Sequence, residues 1–405
     1  MEILKKYNIE FLFLFFLTFG YIFVYSLAMP LGTSNKYFAV PFRMLMALVS
    51  IYIIYKNFDN LKKRKTTVFF VILFWIFYLI KAIYSFNNDT YLPEVLKTKY
   101  EIYIRIVFSN MLPYIAVLSI NFSKEIAVKL NRLIFNFLLV ILAISCLYTI
   151  FVWNIYHQSS GIFTSHYISM GHYGLSLMII SVFTYFQIPQ KSLKPTLGML
   201  LGIFTVITSS ARSPMLAAFV ILFLFVVYAN KLRYWIALLS TVLLFIIGIY
   251  FLMQTSISDF GFIKRMYDAI FEGNAYGRSY YLSKGFDVFK NNILLGGRIL
   301  FEDAMYPHNV FVELLMSMGI VGVILFCLYF KDLTKFRVKY IKANVNYLPY
   351  FLFFVQYLIL VQTSYCIFAN IEFWCFSAVI ISIILFCNDE EIKSNDSRRY
   401  ATGNH

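Results

Sequence analysis

Two polar corners interrupt a chain that is otherwise mostly apolar. The first is Tyr306-Pro307-His308-Asn309, running into Val310-Phe311-Val312-Glu313 and on to Gly319 and Gly322. Pro307 fixes the backbone just before an apolar run, so His308 is expected in the first turn of a helix at the water–lipid boundary. The positive end of the helix dipole there lowers an imidazole's pKa. A neutral imidazole can take a proton from a hydroxyl. Asn309 could orient the ring or bind a sugar, and Glu313, one turn further on, could orient either side chain. The plain alternative is that His308 is a polar cap and nothing more.

The second corner is Thr208-Ser209-Ser210-Ala211-Arg212-Ser213-Pro214. Ser213 has the chemistry of an N-cap, and Pro214 suits the first position of the following helix. Unpaired N–H groups and a positive dipole end beside Arg212 would make an anion site, because guanidinium meets phosphate oxygens two at a time. An arginine that merely snorkels to lipid headgroups is the alternative. His157, His166 and His172 flank another loop without such a context, although lining a substrate is open to them. His405 belongs to the tail.

The elements that position these corners must be membrane helices. The 405 residues are 60% hydrophobic and 14% charged, with 45 Phe and 32 Tyr. Runs of about 20 apolar residues recur along the chain, each long enough for a ~30 Å hydrocarbon core. They are apolar all round, where a soluble helix would show a polar face. Spans are expected at 9–29, 37–55, 67–86, 102–120, 133–155, 172–188, 196–210, 214–230, 235–253, 309–330, 347–367 and 371–387. The fold class is an all-α polytopic transmembrane bundle. Residues 1–387 are expected to form one membrane domain, and 388–405 a polar, cytoplasmic tail. The first span lacks a cleavage site and should remain in the mature protein.

Most of the 35 basic residues fall in loops on the side of the N-terminus. The positive-inside rule therefore places both termini in the cytoplasm. The net charge of +15 is accounted for by those loops against an anionic leaflet and needs no nucleic acid. All five cysteines lie in apolar spans, which argues against a disulfide framework, and no Cys/His spacing resembles a zinc site. The loop at 254–308, on the outer side, is too long for a passive connection. Its bases Lys264, Arg265, Arg278, Lys284, Lys290 and Arg298 are balanced by Asp259, Asp268, Glu272, Asp287, Glu302 and Asp303, so anion selectivity must come from placed residues. Helical spacing of Phe262, Ile263, Met266, Tyr267, Ile270 and Phe271, and of Tyr281, Leu282, Phe286 and Phe289, predicts two helices inside it. Their aromatics could pack the loop onto the bundle or stack on sugar rings.

An Arg in a Ser-Ala-Arg-Ser corner, a long outer loop with an inner Arg, and Pro-His-Asn…Glu…Gly-Ile-Val-Gly opening the next helix resemble the O-antigen ligase/polymerase superfamily of bacterial inner membranes. As architecture the resemblance covers the whole chain; as motif it covers about 205–330. It implies a GT-C-related fold, no metal or cofactor, and action on polyprenyl-pyrophosphate-linked glycans at the periplasmic face. Arg212 and Arg278 would then bind the pyrophosphate and His308 would activate the acceptor hydroxyl. Asn309, Glu313, Ser213, Arg298 and Arg265 are the remaining candidate substrate contacts. Partners would be the lipid-linked oligosaccharide, membrane lipid and a chain-length regulator. The chain has no Asp-x-Asp motif and the loop from Pro30 to Lys36 has no acid, which argues against a metal-dependent transferase. Two arginines can supply that charge instead.

Many ligases of the superfamily carry a second His shortly before the His-Asn pair. Here those positions are Tyr306 and Pro307, which looks more like an O-antigen polymerase joining repeat units on the lipid carrier. The tandem Arg-x10-Gly motifs of some polymerases are absent, since Phe289 stands where Arg278 would need its glycine. A ligase transferring polymer to lipid A-core is the alternative. A lipid-linked-oligosaccharide flippase is the second, because Lys81, Arg43 and Arg105 fall within or near apolar spans, where charges often line a pathway.

Overall fold

The computed structural model describes residues 9–27, 36–151, 167–187, 192–255, 258, 260–273 and 277–402, with side chains as far as residue 391. His157, His166 and His405 lie outside the described residues. Among those described, no strand occurs and eleven helices are long and apolar enough to cross a membrane. In chain order the apolar helices are α1 (Ile9–Ser26), α2 (Lys36–Lys56), α3 (Lys65–Asn88), α4 (Lys99–Ser119), α5 (Lys124–Phe151) and α6 (Tyr167–Gln187). Next come α7 (Leu193–Ser209), α8 (Arg212–Ala229) and α9 (Leu232–Met253). The long loop contributes α10 (Gly261–Ile270) and α11 (Arg278–Asn291), and the chain returns through α12 (Val310–Tyr329), α13 (Leu348–Thr363) and α14 (Ile371–Thr402). Each expected span has its helix. The exception in length is α7, whose 17 residues cover about 25 Å and fall short of a full crossing. The helix of α14 runs on through the segment expected to be a polar tail.

Lipid is as apolar as leucine, so the bundle is held by close packing more than by hydrophobic transfer. Aromatic side chains supply much of the contact: Trp75 of α3 meets Trp374 of α14 edge-on at 4.8 Å, and Phe74 meets Tyr329 of α12 at 5.2 Å. Where α6 and α7 cross, Gly174 and Gly202 let the backbones touch. A Cβ at Gly202 would stand 2.7 Å from the Gly174 carbonyl oxygen. At the other extreme, α9 buries little beyond Ile249 and turns its leucines to the lipid.

The segment after α11 enters the bundle. At Gly319 (φ 62°) α12 is broken, and residues 293–297 lie in the gap. The N–H groups of Ile320 and Val321 donate to the carbonyls of Ile293 and Leu294 at 3.0 and 3.1 Å, and that of Gly297 donates to Met316 at 2.7 Å. Irregular backbone at this depth is tolerated because protein groups satisfy it. Gly319 is required twice over, by its positive φ and because a Cβ would lie 2.5 Å from both the Ile293 and Leu294 oxygens. Lys81, on α3, donates to the Gly296 carbonyl at 3.0 Å and so pins the same segment.

Both helices expected inside the long loop are present. The apolar face of α10 (Phe262, Ile263, Met266) packs on Ile249, with Met215 and Phe245 against it. That is the packing role, and it sets α10 beside the start of α8.

Candidate functional site

Ser210 ends α7 in the left-handed conformation (φ 54°), and Ala211 is the extended residue before α8. Helix α8 therefore begins at Arg212, which corrects the expectation that Ser213 caps it and Pro214 opens it. Ser213 is buried instead, and its hydroxyl meets Nε2 of His172 at 2.9 Å. The His172 carbonyl accepts from Gln356 Nε2 at 2.7 Å. This strut ties α8, α6 and α13 together under the corner. No local pattern announces it, because its members come from three separate helices.

Arg212 is thus set at the first turn of α8 by a rigid base. Arg265 reaches it from α10, donating to the Ser210 carbonyl at 3.3 Å and lying 4.8 Å over the Tyr167 ring, whose hydroxyl it meets at 3.4 Å. Arg278 starts α11 after Gly277, a left-handed cap. Its pKa is held below the usual guanidinium value, first by burial and then by the charges of Arg212 and Arg265. Three arginines from three elements therefore share one corner, and like charges in such proximity favour an anion among them.

His308 stands next to Arg278. It precedes α12 and does not belong to its first turn: Asn309 is the N-cap, with Oδ1 accepting from the N–H groups of Phe311 and Val312 at 3.1 Å each. His308 itself is left-handed (φ 57°), a conformation a non-glycine residue adopts at some cost and one that gathers at functional sites. Its ring is packed between Tyr306 at 4.5 Å and Tyr281 at 6.2 Å. Nδ1 is buried and has no hydrogen-bond partner among the described residues. The imidazole's pKa is lowered to about 4, by burial first and by the Arg278 charge second. Burial disfavours the charged imidazolium, and the neighbouring guanidinium adds to this, so the ring is neutral near pH 7.

Glu313 turns away from both Asn309 and His308. Its two carboxylate oxygens take the Ile367 N–H at 2.9 and 3.0 Å, and Oε1 also faces the Tyr78 hydroxyl at 3.3 Å. It clamps the turn between α13 and α14 onto α12. Glu313→Leu strands a buried N–H and should cost about 1–3 kcal/mol, seen as a lower unfolding temperature in detergent. An unchanged unfolding temperature would remove the clamp. Arg298 is not brought to the corner either. It binds the carbonyls of Leu300 and Thr90 at 2.7 and 2.6 Å, pairs with Glu302, and covers the Tyr91 ring. The structure thus assembles Arg212, Arg265, Arg278 and His308, places Ser213, Asn309 and Glu313 beneath them as supports, and leaves Arg298 to anchor the loop. Tyr167, which steadies Arg265 at the site, was missed because one tyrosine among many carries no local signal.

Residues 197–327 match the family described as O-antigen ligase. No curated protein matches the chain. The matched segment runs from α7 into α12 and contains the arginines, His308 and Glu313, and it supports the O-antigen ligase/polymerase superfamily. Members of this family are glycosyltransferase-like enzymes acting on lipid-linked substrates, in keeping with the multi-pass helical bundle.

Proposed function

We propose that this protein is an O-antigen polymerase, joining polyprenyl-pyrophosphate-linked oligosaccharide repeat units at the periplasmic face of a bacterial inner membrane. The observation that carries the reading is the corner itself: Arg212, Arg265 and Arg278 gathered beside a neutral histidine whose Nδ1 is unpaired among the described residues. In the reaction the acceptor hydroxyl attacks the anomeric carbon of the donor glycan. The bond from that carbon to the pyrophosphate breaks, and Arg212 and Arg278 take up the charge that develops on the leaving group. His308 accepts the hydroxyl proton. Asn309 holds His308 in place by capping α12, and Ser213 holds Arg212 through His172.

The match to a family described as O-antigen ligase keeps transfer of finished polymer to lipid A-core as the second reading. The glycans of cells lacking the protein separate the two. A single repeat unit per acceptor is the polymerase phenotype, and long polymer stranded on the carrier is the ligase phenotype. A flippase has less support, since Lys81, one of the charges that suggested a pathway, is committed to the Gly296 carbonyl.

The proposed orientation, with both termini cytoplasmic, has its own test. In a chain freed of native cysteines, a cysteine at Lys290 should react with an impermeant thiol reagent from outside, whereas one at Lys335 should not. The reverse pattern would put the corner in the cytoplasm and end the periplasmic reading.

A further inference from the structure

The described residues line a half-open cavity of about 220 Å³ between α1, α2, α4, α6 and α14. Phe16, Leu17, Ile22, Phe42 and Met46 give it apolar walls, and Phe108 stands exposed at its rim. Into this apolar space come two arginines. Arg43 of α2 and Arg105 of α4 both lean on Glu101, at 3.5 and 2.6 Å, so one carboxylate is shared between two guanidinium groups. Among the described residues, the Nε of each is buried without a hydrogen-bond partner. So is the hydroxyl of Ser109, a residue 7% exposed that lines the same cavity. Buried donors in native proteins nearly always have an acceptor, and three orphans around one cavity call for a ligand that supplies it.

The backbone marks the same place. The π-helical turns Phe16–Gly20 in α1 and Arg105–Met111 in α4 both contribute lining residues, and such turns recur at functional sites. Among the described lining residues Glu372 is the one acid; its Oε1 accepts from Tyr21 at 2.5 Å, and Tyr21 meets Tyr173 at 2.6 Å. Ser169 and Tyr365, joined at 2.7 Å, form the side nearest the arginine corner, for Ser169 lies one half-turn beyond Tyr167, the residue that holds Arg265. Tyr365 is itself left-handed (φ 65°).

Resting on the polymerase reading above, we infer that this cavity holds the phosphate head and first hydrocarbon units of a second polyprenyl-linked substrate, the acceptor, while the Arg212/Arg278 corner holds the donor. Guanidinium pairs with spare donors suit phosphate oxygens, and the apolar wall suits a polyprenyl chain. The acceptor's glycan then reaches outward from the cavity to present its terminal hydroxyl at His308. A polymerase needs two such lipid heads in place at once.

Binding stoichiometry tests this in nanodiscs of phosphatidylcholine, with radiolabelled polyprenyl pyrophosphate as the probe. The unmodified protein should bind two molecules per chain. Arg43→Gln/Arg105→Gln should bind one, and the molecule it retains at the corner shows that it has folded. Ser109→Leu, which fills the cavity and keeps both arginines, should also bind one, as should Arg212→Gln/Arg278→Gln. Saturation at one molecule, lost with the corner variant and kept with the cavity variant, would overturn the second site and leave the proposed function standing. Binding that ignores the corner variant would instead sink the proposed function. Displacement from the cavity by phosphatidylglycerol as readily as by the probe would overturn the inference, since it would mark a site for ordinary anionic lipid.

Discussion

Arg212→Lys should lower the polymerisation rate by about 10²–10³ while leaving the protein folded and inserted. The magnitude is what the loss of one oriented, charge-stabilising donor typically costs. Lysine keeps the charge, so any loss reports geometry: a planar fork addresses two phosphate oxygens together, and an ammonium group addresses one point. The corner is built for that fork. Arg212 sits at the start of α8 on the buried Ser213–His172–Gln356 strut, and Arg265 is fixed over Tyr167. Repulsion among the three cations also predicts a binding signature. Inorganic pyrophosphate should raise the unfolding temperature of the unmodified protein, by mass action on the folded state, and raise it less in Arg212→Lys. An arginine that only snorkels to headgroups would tolerate lysine at full activity, and that result would remove the pyrophosphate role. Arg278→Lys should behave in the same way.

The spans were legible because twenty apolar residues in a row leave a chain few options, and the two loop helices were legible because their aromatics repeat at helical spacing. What the sequence hid were choices made by distant partners. Whether His308 or Asn309 ends the turn before α12 depends on which side chain can reach back to the N–H groups, and Asn309 does so through a short carboxamide. Ser213 looked like a cap, yet its hydroxyl is claimed by His172 from another helix. Glu313 was read as orienting its neighbours on α12, but its carboxylate serves Ile367, far along the chain. Gly319 reads in the sequence as part of a motif; its need comes from residues 293–297, which lie in the break of α12. Arg298 and Arg265 looked equivalent as loop bases. Their difference lies in the partners, Glu302 and the Thr90 carbonyl for one, Tyr167 and the Ser210 carbonyl for the other.

His308→Ala should abolish polymer formation at normal expression while polyprenyl pyrophosphate still binds, because the loss lies in proton transfer and the arginines are untouched. Folding should survive: His308 lies outside α12, and Asn309 keeps the cap. Near-normal polymer from His308→Ala would reduce the residue to a turn former. His308→Gln distinguishes two ways of helping, since an amide can position a hydroxyl but cannot take its proton at neutral pH. Activity in His308→Gln would replace proton abstraction with positioning. The pH profile adds a sign that only the base should show. The free imidazole's pKa is lowered to about 4, so kcat/KM should stay level as pH falls from neutrality and drop only near that value, where the ring gains a proton and ceases to accept one. Bound pyrophosphate offsets the Arg278 charge that helps hold the pKa down, so the ring in the complex is easier to protonate. The acid limb of kcat should therefore lie at higher pH than that of kcat/KM. In Arg278→Gln, with that charge gone, the kcat/KM limb should move up as well. Identical limbs for kcat and kcat/KM, unmoved in Arg278→Gln, would mean that the group titrating is not His308.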